Sequence, residues 1–253
     1  MARCMSLLVP IIFCLLGCSN APVEQPTGPT ARFGAVPVID GQFQDGEWDD
    51  AAAVTLGENQ HLRMKHDSSN LYLAFDGGGG NLWFNKDSGL QVLHWSAQLG
   101  TAEYRRIDST TQTLEKPFDF TLWGLQHESP SVIRETLKEY LTENGWVANL
   151  APMGPKMQTE FAISFDWFGI SLEDQRFVET PGFHIGAGLM LTRDDPEAEA
   201  IMAMSLEERK KQYPSFYWPV GSGEGHPMNR GNCPDTIHVD PSDFATIWID
   251  FRN

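Results

Sequence analysis

Alternating apolar and polar positions predict a β-hairpin near residue 70. The segment Leu62–His66 alternates apolar and basic side chains, and Leu71, Leu73 and Phe75 form one apolar face of the segment that follows. A period of two is typical of strands with one buried face. Residues 67–70, between the two segments, carry the short polar side chains that favour turns. The buried face of this hairpin therefore requires a second layer to cover it.

Similar short segments recur along the chain, separated by turn residues. They predict further strands at Pro37–Ile39, Asn81–Trp83, Leu90–Trp95, Ala102–Asp108, Phe118–Leu122, Trp146–Leu150, Gln158–Phe165, His184–Thr192 and Ala245–Phe251. Short helices are predicted at Ser131–Glu143, at Asp166–Ile170 and after the capping box Ser205–Glu208. Many short strands at such intervals indicate an all-β fold, a two-layer antiparallel β-sandwich of jelly-roll or immunoglobulin-like type, with short helices in its insertions.

The first residues have the pattern of an export signal. Arg3 precedes an apolar run from Leu7 to Leu16, and Gly17 precedes Cys18. This is similar to a bacterial lipoprotein signal, in which the Cys becomes the acylated first residue of the mature chain. An ordinary cleaved signal with an incidental Cys is the alternative. We expect residues 1–17 to be the signal peptide, 18–35 a flexible tether and 36–253 the sandwich, anchored through Cys18 to the outer membrane.

The charge and the cysteine content argue against two properties, nucleic-acid binding and an intrachain disulfide. The chain of 253 residues carries 18 Lys and Arg against 34 Asp and Glu, a net charge of −16. This balance argues against a nucleic-acid partner, because phosphate binding needs clustered cations. Once the signal is removed and Cys18 is acylated, only Cys233 of the 4 cysteines keeps a free thiol. We therefore expect no intrachain disulfide.

Several motifs, in this order, resemble the family 9 carbohydrate-binding modules and their DOMON-like relatives. The matching segments are Pro37–Gly41 with Trp48, Asp67 with Asn70–Phe75, Leu90–Leu93, Glu160–Ile163, Ile185–Ala187 and Asp240–Phe244. The resemblance implies a non-catalytic β-sandwich that binds a saccharide or polysaccharide, in some members beside a glycoside hydrolase. It also implies a role in polysaccharide capture or carbohydrate catabolism at the cell envelope.

The resemblance also indicates where a ligand would bind. Such modules hold a sugar between two Trp residues; Trp83 lies near the first of these positions, and His238 stands at the second. Trp218, in the inserted segment, would then supply the missing aromatic face. Gln91 and Arg105 would be hydrogen-bonding partners. The alternative is that Trp83 and Trp218 pack their loops against the core.

Metal and cofactor motifs are weak. His226, Cys233 and His238 lack the close spacings of zinc sites, which leaves the metal question open. The resemblance keeps structural Ca²⁺ open, with oxygen ligands from the acidic turn residues Asp40, Asp194, Asp195 and Asp240. The sequence has no Gly-x-Ser-x-Gly elbow and no distinguishable carboxylate pair, so we expect a binding protein rather than an enzyme.

Two other functions remain open. Some relatives of this sandwich are haem-binding redox subunits, and His184 with Met190, Met202 or Met204 would be the axial ligands here. The second alternative is a structural or interaction domain without a sugar ligand, since the second Trp of the sugar site is missing.

Overall fold

The computed structural model describes residues 28–57, 60–76, 80–95, 99–117, 128–153, 156–170, 177–179, 182–188, 200, 203–205, 208, 211–212, 217–220, 235–238 and 244–250. Its strands are β1 (Thr30–Phe33), β2 (Ala52–Gly57), β3 (Gln60–His66), β4 (Asn70–Asp76), β5 (Gly80–Lys86), β6 (Gly89–Trp95), β7 (Leu99–Arg106), β8 (Thr111–Lys116), β9 (Trp146–Met153), β10 (Lys156–Ser164), β11 (Phe177–Glu179), β12 (Gly182–Gly188), β13 (Tyr217–Val220), β14 (Thr236–His238) and β15 (Trp248–Asp250). Its helices are α1 (Pro130–Glu143) and α2 (Phe165–Phe168).

The strands form two sheets. The first sheet has the order β11-β15-β1-β3-β4-β10-β9, with β2 also paired to β3, and the second has the order β13-β12-β5-β6-β7-β8-β14. Most pairs are antiparallel, but β1 runs parallel to both β3 and β15, and β12 runs parallel to β13. The predicted two-layer β-sandwich is confirmed, with these parallel pairs as an addition.

The predicted hairpin is β3 and β4. The Asp67 carboxylate accepts hydrogen bonds from the backbone N–H of Ser69 (2.6 Å) and Asn70 (2.7 Å) and from the Tyr72 hydroxyl (2.7 Å). Burial would raise the pKa of Asp67, but these bonds together hold it below its ordinary value. The turn thus fixes the register of the two strands.

The core lies between the sheets. One face of the hairpin contributes Leu62, Met64 and Phe75 to a cluster of buried side chains. The second sheet supplies Leu82, Phe84, Leu93 and Trp95 to the same cluster. The Trp95 ring lies 5.2 Å from Phe75 and 5.5 Å from Phe161, centroid to centroid, in edge-to-face arrangements. Aromatic packing therefore joins the two layers.

A loop covers the outer face of the first sheet. Within residues 34–51, Ile39, Phe43 and Trp48 pack against Tyr72 and Ala74. The predicted strand at Pro37–Ile39 is wrong, because these residues have no ladder partner and lie in this loop. Trp48 lies beneath this loop and is buried.

The sandwich begins earlier than the sequence suggested. Ala31, inside the predicted tether 18–35, is fully buried, and β1 pairs residue by residue with β15 and β3. Thr30–Phe33, within the expected tether, thus belong to the first sheet, because a buried alanine and two ladders hold them there.

Other elements agree with the sequence patterns. Helix α1 begins after the N-cap Ser129 and ends at Glu143, where the prediction placed its stop. The Ser205–Glu208 capping box is formed by reciprocal side-chain to backbone hydrogen bonds. The predicted strand Phe118–Leu122 lies outside the described residues. Among the described helices, none is long and apolar enough to cross a membrane.

Candidate functional site

A row of polar side chains crosses the inner-facing side of the second sheet. Gln91, Glu103 and Lys116 stand opposite one another on β6, β7 and β8. Because neighbouring strands are about 4.8 Å apart, the row spans about 10 Å. Lys86 and Arg105 occupy the next row, opposite Gly89. We call these five residues the polar ledge.

The polar ledge continues the face that carries the core. Gln91 lies two residues from Leu93, and Lys86 lies two residues from Phe84; both apolar side chains belong to the central core. Alternate residues of a strand share a face. The side chains of Glu103 and Lys116 remain 38% and 42% exposed. The same sheet face is thus dry at its centre and open to solvent at the ledge.

A β-bulge places Lys116 on the polar ledge. Leu114 pairs with Tyr104, whereas Lys116 pairs with Glu103, so the extra residue Glu115 has no partner on β7. In a regular ladder Glu115 would stand opposite Glu103 and two carboxylates would meet. With the bulge, the Lys116 ammonium lies 3.6 Å from the Glu103 carboxylate.

Lys86 connects the ledge to α2. Its ammonium donates to Gln91 Oε1 at 2.6 Å and to the carbonyl oxygen of Trp167, and it lies 4.1 Å from the centroid of the Trp167 ring. Burial lowers the pKa of Lys86, although the charge of Glu103 opposes this. The Lys86 ammonium fixes the Gln91 amide group with its oxygen toward Lys86, so the amide N–H donors point away from Lys86.

Helix α1 closes one side of the ledge. The Lys116 ammonium donates to Oδ1 of Asn144, the C-cap of α1, at 2.8 Å. Next to it, Gly145 adopts a positive φ of 81°, and a Cβ there would lie 2.6 Å from Trp167 Cδ1. The Trp167 ring also contacts Phe84 and Phe168 edge to face. Trp167 therefore supports the ledge from beneath, and Lys86 covers one of its faces.

The strand register separates the predicted ligand-binding residues of β5, β6 and β7 between two faces of the second sheet. Gln91 and Arg105 lie on the polar ledge, whereas Trp83 pairs with Val92, the residue next to Gln91, and so lies on the opposite face. Trp83 is 2% exposed, within an apolar cluster that includes Tyr104. The strand register thus places Gln91 and Arg105 on one face of the second sheet and Trp83 on the other.

The two remaining predicted residues, Trp218 and His238, lie on β13 and β14. His238 is exposed on β14, where its Nδ1 lies 3.3 Å from Thr111 Oγ1. His238 pairs with Thr111, which lies two residues from Thr113 and so on the same face of β8. Because Thr113 pairs with Arg105, His238 lies on the face of the polar ledge, at its outer edge. Trp218 lies on β13, where its backbone is in register with Gly186 of β12.

The candidate metal and haem ligands do not lie together in the part of the chain that the structure describes. No group of three or more His, Cys, Asp or Glu that would hold a metal ion occurs in the part of the chain that the structure describes. Asp40 Oδ1 accepts from the Gln42 N–H at 2.8 Å. His184 lies on β12 opposite Trp83, and Met204 is half-buried. The other candidates, Asp194, Asp195, Asp240, His226, Cys233, Met190 and Met202, lie outside the described residues.

Sequence reasoning missed three ledge residues. Lys86 and Glu103 lie at alternate positions from core residues, so the period of two would have placed them on one face. Lys116 gave no such signal, because the bulge reverses the alternation at the end of β8.

Comparison with known proteins gives structural matches only. No family model and no curated protein matches the sequence. The chain is similar to a family 9 carbohydrate-binding module from Caldicellulosiruptor kristjanssonii in complex with cellotriose, with a TM-score of 0.36, 12% identity, and coverage of 89% of this chain and 94% of that one. For the same kind of module in complex with glucose, the TM-score is 0.36, the identity 12% and the coverages 88% and 96%. These solved structures belong to the family that the sequence motifs resemble.

Proposed function

We propose that this protein is a non-catalytic saccharide-binding protein whose ligand lies on the polar ledge. The observation that carries the proposal is the row Gln91, Glu103 and Lys116 across three adjacent strands, with Arg105 beside it. Across its three strands the row spans about 10 Å, so several hydroxyl groups of one saccharide would lie within its reach. The sequence resemblance to family 9 carbohydrate-binding modules supports the same function.

The chemistry of the polar ledge suits hydroxyl groups. Each hydroxyl of a sugar both donates and accepts hydrogen bonds. Glu103 supplies acceptors, Arg105 and Lys116 supply donors, and the Gln91 amide supplies donors next to them. Lys86 holds the Gln91 amide and Asn144 holds the Lys116 ammonium, which lowers the entropy that these two side chains lose when a ligand binds. The aromatic contribution expected from Trp83 is structural in this arrangement.

Glycan binding tests this proposal. A soluble chain that begins at Ser19, and so retains β1, is applied to a glycan array, and the bound glycans are then titrated by calorimetry. We expect Gln91→Ala and Glu103→Gln each to weaken binding about tenfold, the loss of one or two hydrogen bonds. Glu139→Gln, on the exposed side of α1, is the matched control and should bind as the parent does.

Two results would contradict the proposal. Binding of a glycan that survives both ledge substitutions places the ligand elsewhere on the chain. A chain that is folded by circular dichroism but binds no glycan on the array does not have this function.

We also propose that Cys18 anchors the protein to the outer membrane of the cell envelope. The residues that support this are the apolar run and the Gly17-Cys18 pair. There the protein would capture polysaccharide, alone or beside a glycoside hydrolase. Cells expressing the full chain should incorporate labelled palmitate into it, and Cys18→Ala should abolish the label, whereas Cys14→Ala should retain it. Equal labelling of the Cys18→Ala chain would overturn the anchor.

A further inference from the structure

The polar ledge carries a charge opposite to that of the protein as a whole. It contains three cationic side chains, Lys86, Arg105 and Lys116, and one carboxylate, Glu103. The chain has a net charge of −16. A locally positive surface on an acidic protein attracts anions there and repels them elsewhere.

Among the described residues, one of the three cations of the ledge forms an ion pair. The Lys86 ammonium is bonded to two neutral oxygens, those of the Gln91 amide and the Trp167 carbonyl. That ion pair joins Lys116 to Glu103, with 3.6 Å between the ammonium and the carboxylate. Arg105 is exposed on the same face. Its guanidinium can bind a carboxylate through two parallel hydrogen bonds.

From this arrangement we infer that the ledge selects acidic saccharides, those that carry carboxylates such as uronic acids, over neutral ones. This inference rests on the proposed function. The ligand carboxylate lies between Arg105 and Lys116, and its hydroxyls bond Gln91 and Glu103. Partly buried Lys86 contributes a positive charge that water screens less than it would at an exposed site.

Polysaccharides paired as free acid and neutral ester test this selectivity. Polygalacturonate is compared with its methyl ester, and alginate with its propylene glycol ester, each titrated against the soluble chain from Ser19. We expect the acidic member of the bound pair to bind at least tenfold more tightly at 50 mM NaCl. The preference should fall severalfold at 500 mM NaCl, since added salt shortens the screening length.

Charge substitutions identify the groups responsible. Arg105→Gln and Lys116→Gln should each lower the preference for the acidic member about three- to tenfold and change binding of the neutral ester less. Lys138→Gln removes an exposed charge from α1 and should leave the preference unchanged. Asp87→Asn removes a negative charge from the exposed turn between Lys86 and Gly89, and should increase the preference for the acidic member.

The possible failures are distinct. Equal or tighter binding of the neutral esters, or a preference that Lys138→Gln reduces as much as Arg105→Gln does, overturns the charge selectivity and leaves saccharide binding standing. Binding of neither member of any pair, together with a blank glycan array, overturns the selectivity and the proposed function alike.

Discussion

The indole N–H of Trp48 donates a 2.8 Å hydrogen bond to Glu160 Oε1, which joins the N-terminal loop to the outer face of the first sheet. The other carboxylate oxygen, Oε2, accepts from the backbone N–H of Gly41 at 2.8 Å and of Asp40 at 3.1 Å. Glu160 is fully buried. Burial raises its pKa above the ordinary value, although these three donors oppose the shift.

Removing the Glu160 carboxylate should detach the N-terminal loop from the first sheet. Glu160→Ala leaves buried donors without an acceptor, each at a cost of about 1–3 kcal/mol, so we expect a total loss of about 3–5 kcal/mol in the free energy of unfolding. Trp48→Phe should cost about 2 kcal/mol. Urea denaturation measures both. Glu115→Ala, on the exposed bulge, is the control and should change stability by less than about 0.5 kcal/mol. A Glu160→Ala loss below about 1 kcal/mol would contradict the role of this carboxylate.

Buried His94 should make the fold sensitive to mild acid. Its Nδ1 lies 2.8 Å from Asn81 Oδ1, and burial lowers the pKa of His94 to about 4, from an ordinary value of 6.5. The unfolded chain therefore binds the proton first, and stability falls as the pH drops from about 6.5 to about 4. One pKa unit corresponds to about 1.4 kcal/mol, so His94 accounts for up to about 3 kcal/mol of this loss.

Comparison with His94→Gln isolates this contribution. Between pH 7 and pH 4 the variant should lose about 3 kcal/mol less than the parent, as measured by urea denaturation at each pH. His238→Gln removes an exposed histidine and should follow the parent curve. Parallel curves for the parent and His94→Gln would show that His94 titrates normally in the folded protein.

The close contact between Gly145 and Trp167 should exclude any side chain at residue 145. Gly145→Ala meets Trp167 Cδ1 at 2.6 Å and also keeps a positive φ, so we expect a loss of about 2–3 kcal/mol and an altered tryptophan signal in near-UV circular dichroism. Gly169→Ala is a matched control. Its φ is also positive, at 70°, but no atom lies within 4 Å of the added Cβ, so it should cost only about 1 kcal/mol. Equal losses would show that Trp167 moves aside without cost.

The bulge in β8 predicts unequal effects for two adjacent residues. Lys116→Ala breaks the contacts with Glu103 and Asn144 and should cost about 1–2 kcal/mol, most of it from the hydrogen bond. Glu115→Ala should have almost no effect on stability. The reverse order, measured by urea denaturation, would indicate that β8 pairs regularly and that Glu115 occupies the ledge.

Much of the fold followed from local patterns. The hairpin of β3 and β4 was predictable because its apolar alternation and its Asp67 turn agree with one register. Helix α1 was predictable because a cap and a stop mark its ends. The role of Ala31 was not, since a four-residue strand gains its burial only from β3 and β15, which are distant in sequence.

The site was predictable only in part. The predicted residues Gln91, Arg105 and His238 share one face of the second sheet. Trp83 was expected to bind the same ligand, but it pairs with Val92, the residue next to Gln91, and therefore lies on the opposite face. A period of two would have separated them. The contribution of Lys116 depends on a bulge, which neither composition nor spacing reveals.

The parallel pairing of β1 has a mechanical consequence. This strand enters the sheet directly after residue 29 and forms ladders on both sides, with β3 and with β15. A pulling force on the preceding segment, directed along the strand, loads these hydrogen bonds together in shear rather than one after another. If the protein is anchored by its N-terminal end and bound to an insoluble polymer, the two ladders of β1 would oppose mechanical unfolding.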